Sequence, residues 1–163
     1  GAAVDVALAC GCSTLVLSTG RTSELAAQHF LALPEEAYIM MGDHVGHALR
    51  ACSRKGVKEV VLAGQFAKLL KIACGHEQTH VSSSQLDLRT LSEWLSASPR
   101  TAGLAPRASN SNTARELFEA AGGDPELVAL VCDRAARTAT EWTPGCGVKV
   151  FLAGYGGEVV YFG

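Results

Sequence analysis

Apolar positions along the chain follow two alternating rhythms. Short runs at Thr14–Leu17, Ala37–Met40 and Val60–Ala63 have the length and β-branched content of buried strands. The stretches between them repeat at helical spacing. One helix is predicted from Thr22 to Leu33, stopped by Pro34. A second runs from His44 to Lys55, with Val45, Leu49 and Cys52 on its core face and Gly56 closing it. After Gly64 a third places Phe66, Leu69, Leu70 and Ala73 on one side and ends at Gly75 as its C-cap. A short helix at Ala2–Ala9, broken by Gly11, comes before all of these. Strands alternating with helices over ~20 residues each predict a parallel sheet.

Beyond His80 the rhythm changes. Ser82–Ser84 reads as a loop, and Leu88, Leu91 and Leu95 mark a helix. The stretch from Ser96 to Asn112, rich in Ser, Pro, Arg and Asn, reads as an exposed connection. Thr113 and Glu116 form a capping box for a helix to Ala121, halted by Gly122 and Gly123. Pro125 suits the first turn of a long helix to Trp142 with Leu127, Val128, Val131, Ala135 and Thr138 on its face. Two closing strands, Val148–Leu152 and Glu158–Phe162, turn through Tyr155-Gly156-Gly157 as a hairpin. The expected fold is a single three-layer α/β domain over residues 1–163. Its sheet is mostly parallel and flanked by helices, with the first three strands adjacent and the antiparallel hairpin extending it.

Composition narrows the function classes. A chain of 163 residues with 48% hydrophobic and 18% charged residues can bury a core. A formal net charge of −2 gives no basis for nucleic acid or a membrane surface as partner. The six cysteines hold no CxxC pair and no zinc frame, only Cys10-Gly-Cys12, so they read as reduced thiols of a cytoplasmic protein.

Three turns that follow predicted parallel strands hold the candidate chemistry: Ser18–Arg21, Gly42–Asp43 and Gly64–Lys68. In an open parallel sheet such turns gather at the carboxyl edge, where ligands bind at a switch in strand order. Arg21 and Lys68 would face one crevice there, His44, His76 and His80 could join it, and Asn112 and Thr113 sit at another helix start. Asp43 is expected to cap the helix that follows it. Lys68 lies in the first turn of its helix, where a cation opposes the dipole unless an anion is bound. Two readings stay open for it, a solvated surface lysine and an anion anchor. The spacing is not that of a Walker loop, since the Gly-Lys-Ser/Thr core is missing.

GQFAKLLKIACGHEQTH, from Gly64 to His80, resembles the G-x-x-GK-x-x-K-x-A-x-G-x-x-x-TH segment of the CbiD family of cobalamin biosynthesis. STGRTSE at Ser18–Glu24, LPEEAYIMMGDHVGHALR at Leu33–Arg50 and Asn-Thr-Ala at Asn112–Ala114 agree in order and spacing. Ala67 departs from the pattern, standing where the family has the glycine before Lys68. The resemblance implies methyl transfer from S-adenosyl-L-methionine to C-1 of cobalt-precorrin-5B, a cobalt-corrinoid polycarboxylate, giving cobalt-precorrin-6A. It implies no protein-bound metal. It places the donor at Thr19, Gly20, Gly42, Asp43 and Gly64, the substrate at Arg21, Lys68, Thr79 and Asn112, and proton handling at His44 and His80. The family carries a further N-terminal region, so the chain is expected to be the C-terminal part of a longer enzyme; a homo-oligomer is compatible with this. Two rival classes are a non-catalytic ligand-binding or assembly domain, and a redox or metal protein using Cys10, Cys12 and the histidines.

Overall fold

The computed structural model describes residues 2–80 and 82–163. In chain order the elements are α1 (Ala2–Ala9), β1 (Thr14–Ser18), α2 (Arg21–Phe30), β2 (Tyr38–Met40), α3 (Val45–Arg54), β3 (Glu59–Gly64), α4 (Phe66–Ala73), α5 (Ser84–Ser96), α6 (Ala105–Asn110), α7 (Ala114–Ala120), α8 (Pro125–Trp142), β4 (Gly147–Ala153) and β5 (Val159–Phe162). One five-stranded sheet has the order β2-β1-β3-β4-β5. The three expected strands are parallel neighbours, with Leu17 opposite both Ile39 and Leu62. The terminal hairpin joins through β4, which runs parallel to β3, and only β5 is antiparallel. The whole segment from α4 to α8 serves as the crossover that a parallel β3–β4 pair requires.

Side-chain alternation divides the sheet between two cores. Leu15, Leu17, Val60, Leu62, Val150 and Leu152 face the main core with α3, α4 and α8, whereas Val16, Val61, Ala63, Phe151 and Ala153 meet Ala26 and Ala27 of α2. The three layers are therefore unequal, with a single helix on one face.

Two stretches differ from the sequence reading. Helix α2 ends at Phe30, three residues short of Leu33. Pro34 disfavours helical backbone at the residue before it, and the Tyr38 hydroxyl seals the extended exit by donating to Leu31 O and accepting from Leu33 N. The polar connection at 96–112 is mostly helical, comprising a 3-10 turn at Ala102–Leu104 and then α6. Its hydroxyls find partners within the protein: Thr101 Oγ1 donates to Leu95 O at 2.7 Å, Ser111 Oγ donates to Arg107 O at 2.7 Å, Ser109 Oγ lies 2.8 Å from Ser92 Oγ of α5, and buried Ala105 and Ala108 let α6 pack closely on α5. Composition reads the hydroxyls of 96–112 as solvent-facing, but Thr101, Ser109 and Ser111 bond between and within helices.

All six cysteines are unpaired. Burial pushes the thiols of Cys52 and Cys132 up to about 11 and about 12, which leaves them inert side chains of the core. Among the described residues, no helix is long and apolar enough to cross a membrane, and no group of three His, Cys, Asp or Glu side chains is placed to hold a metal ion.

Candidate functional site

The carboxyl ends of β1 and β3 lie side by side, and the chain leaves them in opposite directions: to α2 on the thin face, and to α4 on the main-core side. This is the switch in strand order at which open sheets hold ligands. Thr19 N donates to Ala63 O at 3.0 Å, which locks the two turns together. Gly64 is required by this closeness, since a Cβ there would sit 3.0 Å from Thr19 Oγ1 and 3.4 Å from Leu69 Cδ2. Space is open beside Gly20 at the start of α2, where a Cβ would meet nothing within 4 Å. The turn after β2 is drawn to the same edge, with Met41 N and Gly42 N both donating to Ser18 O, at 2.9 and 3.3 Å. Gly42 has φ 60, in the left-handed region that favours glycine.

Asp43 does not cap α3. The N-cap position is His44, with no side-chain cap bond. Asp43 Oδ1 instead accepts from Lys68 Nζ at 2.9 Å and from Thr79 Oγ1 at 2.8 Å, while Lys68 Nζ also donates to Thr79 O at 3.2 Å. A second strap, Thr79 N to Asp43 O at 3.1 Å, closes the ring. The loop after β2, the first turn of α4 and the loop after α4 are thus clasped at one point. Lys68 is therefore not a free surface lysine, and Asp43 offsets its charge against the helix dipole.

The Lys68 ammonium, and after it the Thr79 hydroxyl, hold the Asp43 carboxyl below the ordinary 3.8. A depressed folded-state pKa contributes stability above the unfolded value, and that contribution is lost as pH falls through the folded one. Both side chains of the pair are more than a third exposed, at 36% and 38%, so solvent screening discounts it. Asp43→Asn is expected to cost ~0.5–1 kcal/mol at neutral pH. In urea melts across pH, the gap between wild type and variant should be constant above about pH 5 and close below about pH 4. A gap that does not narrow at all as pH falls below 4 would show that the clasp does not depend on the Asp43 charge.

The remaining predicted site residues scatter along the edge. Thr19, Gly20, Gly42, Asp43 and Gly64 come together, as do Lys68 and Thr79. Arg21 does not join them; its guanidinium, 73% exposed, pairs with Glu24 at 3.0 Å. His44 rims an apolar groove of about 350 Å3 between α1, β2 and α3, beside Met41 and His47. His80 is exposed beyond Thr79, and neither of these two rings makes a side-chain hydrogen bond among the described residues. Asn112 is exposed and links α5 to α7, its carbonyl accepting from Gln85 Nε2 at 3.2 Å and its N–H donating to Glu116 Oε2 at 3.2 Å.

Sequence reasoning missed a second cluster. Asp87, in the first turn of α5, is 4% exposed and lies 2.9 Å from His76 Nε2; it also accepts from Ser83 Oγ at 2.9 Å. Lys71 Nζ approaches it at 3.6 Å. Lys71 was legible as a cation one turn beyond Lys68, but no spacing rule pairs His76 with Asp87.

A sheet wound in both directions from a strand-order switch, with glycine turns meeting there, defines an open doubly wound α/β domain. This chain belongs to the CbiD family: the family model described as "CbiD, C-terminal domain" matches residues 78–162. It is 64% identical over 165 residues to a Geobacter sulfurreducens protein named cobalt-precorrin-5B C(1)-methyltransferase, covering 99% of this chain and 46% of that one. Proteins of the same name from Geotalea daltonii and Desulfotalea psychrophila are 61% and 37% identical, covering 46% and 45% of their lengths. The chain thus spans less than half the length of these curated relatives. No solved structure matches it.

Proposed function

We propose that this chain forms part of an enzyme that methylates C-1 of cobalt-precorrin-5B, with S-adenosyl-L-methionine as donor. The observation that carries the reading is 64% identity, across 99% of this chain, to a protein named for that reaction. The crevice supports it chemically. Gly64 lets the β1 and β3 turns close on each other, and Gly20 leaves open space at the start of α2, where a ligand can approach backbone closely. Both side-chain bonds to Asp43 land on Oδ1, which leaves Oδ2 to accept from a ribose hydroxyl. Thr19, Gly20, Gly42, Asp43 and Gly64 would hold the donor, which supplies an electrophilic sulfonium methyl. The work left to the protein is alignment of the two partners and exclusion of water. His44 and His80, as exposed imidazoles on this side of the sheet, would accept or relay protons.

The 46% share of the relative's length supports a second reading, in which this chain is a non-catalytic ligand-binding or assembly domain and the methyl-transfer chemistry, donor site included, belongs to other segments. Calorimetry with S-adenosylhomocysteine on this chain separates the two. Saturable binding that is lost in Asp43→Ala is expected if the donor cradle lies here. Absence of heat from this chain, against clear binding by the full-length Geobacter relative, would move the donor site elsewhere.

A further inference from the structure

Between α4, α5 and α7 lies a cavity of about 90 Å3, lined among others by Ala67, Lys71, Ser84, Asp87, Thr113 and Arg115. That volume is well above the ~10–15 Å3 that a single water needs, so a group of several atoms fits. Lys71 and Arg115 are the cations on its wall, and Lys71 is the more buried of the two. Lys68 and Lys71 are three residues apart and so are neighbours on the same helical surface. Lys68 pairs with Asp43 at 2.9 Å, whereas Lys71 makes no contact that close. Its side chain is only 15% exposed, yet its contacts are long, 3.4 Å to Ser83 Oγ and 3.6 Å to Asp87 Oδ2. Well-formed bonds of this kind span roughly 2.7–3.2 Å. A largely buried ammonium has three donors to place, and an unmet one is costly.

Asp87 does not depend on Lys71 to meet its bonding needs. His76 Nε2 lies 2.9 Å from its Oδ1, and Ser83 Oγ donates to Oδ2 at 2.9 Å. Its carboxylate also faces Cys74, whose thiol is pushed up to about 12 by burial first and by Asp87 next. The opposite wall offers donors. Thr113 Oγ1 accepts from Glu116 N at 3.1 Å and keeps its own hydroxyl proton to give. The Arg115 Cζ sits over the Tyr155 ring, 4.4 Å from its centroid, with Nε on Glu119 at 3.1 Å, which leaves its terminal N–H groups unspent on that pair.

We infer that this cavity is a carboxylate-binding subsite, with Lys71 as its cation and Thr113 and Arg115 as further donors. Resting on the proposed function, it would take one carboxylate arm of the corrinoid. The anion role expected of Lys68 thus passes one helical turn along α4 to Lys71. Ala67 decides the size of the mouth, because its methyl group stands on the lining where the family pattern has glycine.

The test is an absorbance titration of this chain with cobyrinic acid, a cobalt corrinoid with free carboxylates, and with its methyl ester as the uncharged control. Wild type should bind the acid and not the ester. Lys71→Gln, which removes the charge, and Ala67→Met, which fills the cavity but leaves every charge in place, should each weaken acid binding at least about tenfold, the scale of one charge-assisted hydrogen bond. Should Lys71→Gln fail to fold, Ala67→Met decides alone. Unchanged affinity in Ala67→Met, or ester bound as well as acid, would overturn the subsite and leave the proposed function standing. No binding of either corrinoid by wild type would overturn the corrinoid reading and the subsite with it.

Discussion

Phe66→Ala is expected to lower the unfolding free energy by about 3–5 kcal/mol, the usual cost of truncating a buried phenylalanine. Phe66 is fully buried as the first residue of α4, beside Phe118 of α7 at a ring-centroid distance of 5.1 Å. Phe118 in turn meets Tyr155 edge-on at 5.8 Å, and the Tyr155 hydroxyl accepts from Ala67 N at 3.1 Å. This aromatic stack joins the start of α4 to α7 and to the turn after β4, behind both the switch-point crevice and the Lys71 cavity. For a domain of this size the loss corresponds to a melting temperature lower by roughly 6–20 °C. Urea unfolding would measure it, and a loss below about 1 kcal/mol would mean that the neighbouring side chains collapse into the gap.

Gly64→Val should act on stability and binding together. A Cβ alone would press on Thr19 Oγ1 at 3.0 Å, and the two further methyls of valine must enter a wholly buried strand end beside Leu69. Overpacking of this kind costs about 1–3 kcal/mol. The β1 and β3 turns would be forced apart, and binding of S-adenosylhomocysteine should be lost while far-ultraviolet dichroism stays native. Gly64→Ala should be milder, because Thr19 can rotate its hydroxyl aside. Combining Gly64→Ala with Thr19→Ala should recover part of the stability, since contacting sites are not additive. A Gly64→Val protein with unchanged melting and unchanged binding would rule out the close approach at Gly64 as the reason for glycine there.

Much of the architecture was legible in the chain because it is written in local periods. Val60–Ala63 reads as a strand and Phe66–Ala73 as a helix from side chains a few positions apart, and Thr113 bonding Glu116 N at 3.1 Å is a cap spelled out over four residues. Strands spaced by helices predicted a parallel sheet, since connections of that length can return only as crossovers.

What the tertiary structure alone decided is which partner each polar side chain takes. Asp43 has a local option as N-cap of α3 and a distant one in Lys68, 25 residues away; the ion pair prevailed because the sheet brings both turns to one edge. Thr101 and Ser109 read as solvent-facing until α6 packs against α5. Lys68 and Lys71 are cations at opposite ends of one short helix, and only folding sets Asp43 against the first and a cavity against the second. Helix and strand periods are properties of neighbouring residues, whereas hydrogen-bond partners depend on which loops the sheet order brings together.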